Sequence, residues 1–326
     1  MIALSAGPLA GWDETVPELP EIRDEHVLAQ PRLTLPALAP ATVPQGSWQV
    51  RLGSAWSSSF SWRQDLVGEE PNRRDYLMDG ETLTLDASVR RGLTASLDVD
   101  LRVPLRWRGG GQLDEIIDGW HRDFGLPANN RPDFRQDAFR VEGRTSEDGG
   151  WFSWNERAGW GFGDLELSGR WRMSDPARDL VSVALVGRVS LPTASAPFDG
   201  NGAGGAAQLV MTTTLGSRFT LHGGFGASVQ DPGPVHGVLY EKTRIQGFVA
   251  ISWRPSQRIG FVAETNAASR LVSNVEEYPG VHWILNTSGW LAITPRLRLE
   301  LGFTENFIDQ DSTTDFGLHL GLVVRP

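Results

Sequence analysis

The sequence predicts an all-β chain, a transmembrane antiparallel β-barrel of about 12 strands with one short amphipathic helix in the long loop 108–162. Three observations predict it. First, Leu93 to Trp107 alternates without a break: Leu93, Ala95, Leu97, Val99, Leu101, Val103, Leu105 and Trp107 on one face, Thr94, Ser96, Asp98, Asp100, Arg102, Pro104 and Arg106 on the other. That period excludes a helix, and the run far exceeds the roughly 5–6 residues of a typical soluble strand. A strand that is apolar on one face and charged on the other crosses a bilayer only inside a closed barrel, with lipid outside and water inside. Second, long and short connections alternate along the chain, as in outer-membrane barrels with short periplasmic turns and long outer loops. Third, tryptophans fall at strand ends, Trp62, Trp107, Trp160 and Trp283 at one rim and Trp48, Trp171 and Trp253 at the other, as aromatic girdles do.

Two segments are expected: 1–46, a signal remnant and Pro-rich periplasmic lead-in, and 47–326, the barrel. Met1 to Gly11 is mildly apolar and small-residue-rich without a basic start, which fits the tail of a secretory signal or a plain chain end. Trp12 to Gln45 holds too many prolines for a strand or helix of any length and reads as an extended lead-in or linker. The strands follow: Ser47 to Trp62, Thr82 to Arg90, Leu93 to Trp107, Gly163 to Met173, Leu180 to Leu191, Gly205 to Leu215, Phe219 to Val229, Thr243 to Trp253, Arg258 to Arg270, Val281 to Ile293, Leu297 to Ile308 and Asp315 to Arg325. Short turns lie near Gly92, Asp175, Ser217, Ser256 and Pro295. Longer loops centre near Asn72, Asn130, Gly200, Pro234, Glu277 and Asp311. This parity puts both termini in the periplasm.

Composition narrows the partners. The chain has no Cys, so disulfides, thiolate metal sites and a Cys nucleophile are excluded. A net charge of -10 does not suit nucleic acid. No apolar run is long enough for a transmembrane helix.

The long connection Arg108 to Phe162 needs structure of its own. Leu113, Ile116, Ile117, Trp120 and Phe124 recur at helical spacing, with Asp114, Glu115, Asp118 and Asp123 elsewhere, and Gly125 and Pro127 end the helix. Its apolar face must cover the barrel mouth, the lumen wall or lipid headgroups. Ile116, Ile117 and Trp120 are expected to be buried together, with Asp114 and Asp118 exposed. His121 beside Arg122 and Asp123 reads as a solvated helix-face histidine.

The stretch Leu113-Asp-Glu-Ile-Ile-Asp-Gly-Trp-His-Arg-Asp-Phe-Gly-Leu-Pro127, followed by Asn130-Arg131, resembles a signature of the bacterial family called domain of unknown function 3187. Val103-Pro104-Leu105-Arg106-Trp107 and Gly161-Phe-Gly-Asp164 resemble it too. The resemblance implies an outer-membrane barrel and brings no catalytic residue.

The lumen face is expected to carry Asp86, Asp98, Asp100, Arg102, Arg106, Asp164, Glu166, Arg170 and Arg172. A tight turn at Arg91-Gly92 would set Asp86 opposite Asp98, with Asp100 beside them. Matching strand ends would pair Arg106 with Asp164, Asp100 with Arg170 and Asp98 with Arg172, within a slip of two residues. His222 and His319 are expected to face the lumen singly. His282 and Ser288 share a strand face but stand about 20 Å apart at roughly 3.3 Å per residue, too far for a dyad. No zinc-protease, serine-hydrolase or phosphate-loop pattern occurs.

The function expected is a passive or gated channel for small polar solutes in the bacterial outer membrane. Its partners are membrane lipid and those solutes, with no cofactor and no metal. The alternatives are a lipid-modifying or hydrolytic barrel enzyme and a structural barrel without transport, with enzymatic activity the less favoured.

Overall fold

Trp48–Gln64 forms the first strand, β1, and its hydrogen bonds on both edges close the barrel. The computed structural model describes residues 18–64, 74–125, 131–146, 150–175, 179–199, 202–231, 233–306 and 313–325. After β1 come β2 (Arg74–Gly92), β3 (Leu97–Gly109), the helix α1 (Asp114–Phe124), and three short strands, β4 (Arg140–Arg144), β5 (Trp151–Ser153) and β6 (Gly159–Phe162). Then follow β7 (Leu165–Arg172), β8 (Val181–Leu191), β9 (Gly204–Leu215), β10 (Phe219–Gln230), a small ribbon of β11 (Pro234–Val235) and β12 (Val238–Leu239), β13 (Thr243–Trp253), β14 (Ile259–Ser269), β15 (Val281–Thr294), β16 (Leu297–Glu305) and β17 (Phe316–Val324). Twelve long strands make a closed antiparallel barrel: β1 to β3, β7 to β10 and β13 to β17, with β17 returning to β1.

The alternation seen in the sequence sets the two faces. Leu52, Leu85, Leu101, Leu167, Leu185, Phe225, Val249, Phe261, Leu291 and Leu301 are exposed on the outside, while Asp98, Arg102, Glu166, Arg170, Arg188, Arg244 and Glu300 are buried within. A continuous apolar belt of this extent suits lipid, since soluble monomers rarely expose patches above a few hundred Å². Trp48, Trp171 and Trp253 stand exposed near the rim of short turns, and Trp160 and Trp283 near the rim of long loops.

Three local expectations are corrected. β2 starts at Arg74, not Thr82, because its pattern inverts near the loop rim: Tyr76 and Met78 are buried apolar residues on the lumen side, while Asp79 and Glu81 lie on the outer side. The turn between β2 and β3 is not Arg91-Gly92. Gly92 still pairs with Asp98, and the chain reverses through Leu93–Ser96, closed by Leu93 N–H donating to Leu97 O at 2.8 Å. A Cβ at Gly92 would stand 2.1 Å from Pro44 O, so this position passes close under another backbone and needs glycine. Within loop 108–162, β4 extends the wall beside β2, and β6 extends it beside β3.

The largest departure concerns the Pro-rich lead-in. Residues 18–43 do not run outside the barrel: apart from half-buried Glu21, Arg23 and Asp24 they are buried, and they lie in the lumen. Residues 1–17, where the signal-remnant reading falls, lie outside the described residues.

Candidate functional site

The lumen is filled by a hairpin-shaped segment without strand pairing. Glu18 lies at the turn rim beside Arg90, Arg298 and Arg325. The ascending arm passes Arg51, whose guanidinium donates to Glu21 O at 3.2 Å. It then passes Thr84, which donates to Glu25 Oε2 at 2.6 Å. The chain turns over His26–Arg32, with Ala29 N–H donating to His26 O at 2.7 Å and Arg32 N–H to Ala29 O at 2.9 Å. The descending arm returns past Gln230, Gln246 and Gln208 to Asp98 and enters β1.

The composition of the segment explains how it is held. Prolines lack the N–H that a sheet ladder needs, yet every buried carbonyl still requires a donor. The wall supplies them from side chains. Arg170 Nη1 donates to Ala39 O and Ala41 O at 2.9 and 2.7 Å. Arg32 of the segment reaches back to Gln230 O and Glu241 O at 2.8 and 2.7 Å, and Arg106 donates to Gln30 O. Where N–H groups exist, Gln230 Oε1, Gln246 Oε1 and Asp98 Oδ2 accept them from Leu33, Leu35 and Val43.

Apolar contacts hold both ends. Leu19, Ala37, Leu38, Ala39 and Ala41 pack on the lumen-facing Ala184, Val186, Val210, Phe248, Ala250, Val262 and Trp290. At the loop rim, Val27, Leu28 and Ala29 are buried among Tyr76, Phe152, Trp154, Tyr240 and Tyr278, with Tyr240 donating to Leu28 O at 2.9 Å. Among the described residues, small cavities of about 30 and 20 Å³ lie between segment and wall, each with room for little more than a water molecule.

A charge network joins segment to wall. Glu166 is its hub, with Arg23 at 3.1 Å, Arg102 at 2.9 Å and Arg188 at 3.0 Å. Asp86 bridges Arg51 and Arg102 at 3.2 and 3.6 Å, and Arg51 reaches Glu300 at 3.3 Å. Glu18 serves three wall arginines, Arg90, Arg298 and Arg325, at 3.3, 3.6 and 3.0 Å.

The pairing expected between β3 and β7 is not formed. The register places Asp98 opposite Arg170, Asp100 opposite Ser168 and Arg102 opposite Glu166, two residues from the first expectation. The strand ends do not match: β3 runs past β7 and continues against β6, with Leu105 opposite Phe162 and Arg106 opposite Gly161. Asp86 faces Pro104 rather than Asp98. Asp164 accepts from Thr193 N–H and Ala194 N–H, both at 2.9 Å, and Arg172 donates to Ala95 O at 2.9 Å. Asp100 is half-buried. His222 bonds Thr212 and Ser252 across neighbouring strands at 2.9 and 3.1 Å, and His319 bonds Thr304 at 2.8 Å. These histidines serve the wall, and each has its partners there.

The helix forms at the expected position but covers a different surface. Acidic Asp114 and Glu115 stand in its first turn, and Gly125 ends it in the left-handed conformation at φ 66°. Leu113 and Ile117 are buried against Phe316, Trp56 and Phe303. Those three belong to the outward phase of β17, β1 and β16, so α1 lies on the outer wall near the loop rim. Asp114 is buried, not exposed, because Arg131 Nη2 donates to its carboxylate at 2.6 Å while Arg131 Nη1 holds Asp315 at 2.6 Å. Asp118 is half-buried and takes Gln136 Nε2 at 2.7 Å. Ile116 is 55% exposed and Phe124 63%, and exposed Trp120 stacks between Phe124 and Phe303 at 4.2 and 5.7 Å. His121, expected to be solvated, is buried.

The filled lumen was the feature the sequence reading missed. One signal pointed to it. Ala184, Val186, Val210, Phe248 and Ala250 lie on the face assigned to water, and an apolar patch there requires a partner.

Comparison with solved structures agrees with this architecture. An outer membrane channel from Pseudomonas putida F1 is similar at a TM-score of 0.59 and 10% identity, over 87% of this chain and 97% of that one. The NanC porin follows at a TM-score of 0.46 and 8% identity, over 85% and 98%. None of the curated proteins compared with the chain matches it in sequence. The family model described as protein of unknown function (DUF3187) matches residues 21–325, which take in the lumen segment, the barrel and α1 alike; the chain belongs to that family.

Proposed function

We propose that this protein is a gated channel for small polar solutes in the bacterial outer membrane, with residues 18–43 as the gate. The observation that carries the proposal is the way the lumen is filled. The wall does not close on itself by direct packing. It binds a separate stretch of chain, through arginine, glutamine and carboxylate side chains that would face water if that stretch left. These contacts are polar and can be taken over by water, each at about 0.5–1.5 kcal/mol net for a neutral hydrogen bond and about 1.5–3 kcal/mol for one to a charged group, so the segment rests closed and opening is the less populated state. The similarity to an outer membrane channel supports the location and the general role at the level of the fold.

The charge balance adds a selectivity. Between Glu18 and Val43 the segment carries Glu18, Glu21, Asp24 and Glu25 against Arg23 and Arg32. With the segment displaced, Arg90, Arg298 and Arg325 lose the carboxylate they share, and Arg106 and Arg170 lose their carbonyls. The open lumen then keeps Asp86, Asp98, Glu166 and Glu300 but loses the net negative charge of the segment, and the arginine excess of the wall that remains favours anions. In planar bilayers, deletion of residues 18–43 should turn a closed or rarely opening protein into one of steady, anion-selective conductance. A deletion variant that folds and conducts no more than the intact chain would refute the gate.

A further inference from the structure

The geometry points to a divalent transition-metal site, of the kind that binds zinc, formed by His121, Glu305 and Asp315 between α1 and the outer barrel wall. The three residues come from separate elements: the last turn of α1, the end of β16 and the residue before β17. One ligand atom from each lies within 4.8 Å of the others. All three residues are buried, at 5%, 4% and 8% exposure.

Unmet bonding capacity is the second, independent observation. Among the described residues, both ring nitrogens of His121 and Oε2 of Glu305 are buried with no hydrogen-bond partner. His121 Nε2 stands 3.9 Å from Glu305 Oε1, too far for a hydrogen bond. Buried polar groups left this way destabilise the fold, and a bound ion would satisfy them together.

The local charge agrees. Arg131 is already shared by Asp114 and Asp315, and Asp79 and Glu81 are buried on the same side of the wall. The pocket therefore holds more carboxylates than cations. One imidazole and two carboxylates suit zinc or a neighbouring first-row ion better than calcium, which prefers an all-oxygen shell. The expectation of no metal followed from separation in sequence. His121 stands 184 positions before Glu305, and no spacing motif joins such ligands. Bound metal would pin α1 to β16 and β17 above the packing of Leu113, Ile117 and Phe316.

The test uses the tag-free full chain in detergent, stripped with a chelator and titrated with Zn²⁺ by calorimetry. One saturable site per chain is expected. His121→Ala and Glu305→Gln should each weaken binding by at least about tenfold, while Asp118→Asn on the same helix should leave it unchanged. Absence of a saturable site, or equal affinity in His121→Ala, would overturn the proposal. Where a variant fails to fold, Co²⁺ added to the unaltered chain decides. A visible ligand-field band of a nitrogen–oxygen site is expected, and a spectrum identical to Co²⁺ in buffer would overturn it.

Discussion

Asp98 and Arg170 face each other directly across β3 and β7, yet each is turned toward the lumen segment. Asp98 Oδ2 accepts from Val43 N–H at 2.9 Å, and Arg170 donates to Ala39 O and Ala41 O. The wall thus spends a cross-strand pair on holding a third piece of chain. This is why the descending arm lies where it does.

Arg170→Ala should loosen the descending arm. Two charge-assisted hydrogen bonds are lost, at about 1.5–3 kcal/mol each for bonds to charged groups. The expected result is faster protease cleavage within residues 33–43 in detergent, with the barrel still folded, its gel mobility changing only on boiling. Cleavage at the wild-type rate would show that Arg170 does not anchor the arm.

Glu18→Gln should act at the other arm. Its carboxylate sits among Arg90, Arg298 and Arg325, and removing one partner of a buried ionic cluster costs roughly 3–5 kcal/mol. More frequent opening in planar bilayers is expected, with the open-state current unchanged. A changed current with unchanged opening frequency would place Glu18 in the permeation path instead.

The helix prediction concerns lipid. Ile116, Trp120 and Phe124 form an exposed apolar stripe on a helix that rests against the outer wall, the arrangement of an interfacial helix. Bromine-labelled lipid should quench a component of tryptophan emission that is lost in Trp120→Phe. Equal quenching in both proteins would mean that the stripe does not meet lipid. Because α1 lies outside the lumen, removing 111–130 should leave conductance unchanged, whereas removing a helix that covered the barrel mouth would raise it.

At the loop rim, His236 Nε2 meets Arg157 at 2.9 Å. Burial, then the neighbouring guanidinium, push the imidazole below its ordinary value. A depressed histidine contributes stability above its unfolded value and loses it as pH falls through the folded one. The cap over Val27–Ala29 should therefore loosen on acidification below about pH 6. Imidazole resonances should show His236 titrating below the ordinary range. A midpoint at or above 6.5 would contradict this coupling.

Much of this was legible in the residues. The faces of β3, β7, β8 and the C-terminal strands follow from alternation alone, since lipid outside and polar groups inside leave a strict period. α1 was legible from its spacing. Which way it faced was not, because Ile116 and Trp120 are exposed rather than packed in a core, and hydropathy does not separate the two. The register of β3 on β7 depended on where β6 takes over, and Gly163-Asp164 gives no sign of that break. The lumen segment was hidden by its prolines. They exclude regular structure, and a chain without regular structure reads as a linker unless its partners are known.

In the proposed gating, residues 18–43 leave the lumen when the channel opens. A Cβ at Gly302 would lie 2.7 Å from Ile22 Cδ1, so Ile22→Cys with Gly302→Cys places two thiols side by side in a chain with no other cysteine. Single-channel current through this variant, before and after reduction, tests the claim directly. No openings are expected while the disulfide holds, and openings should return on reduction. Equal opening in both states would contradict the gating.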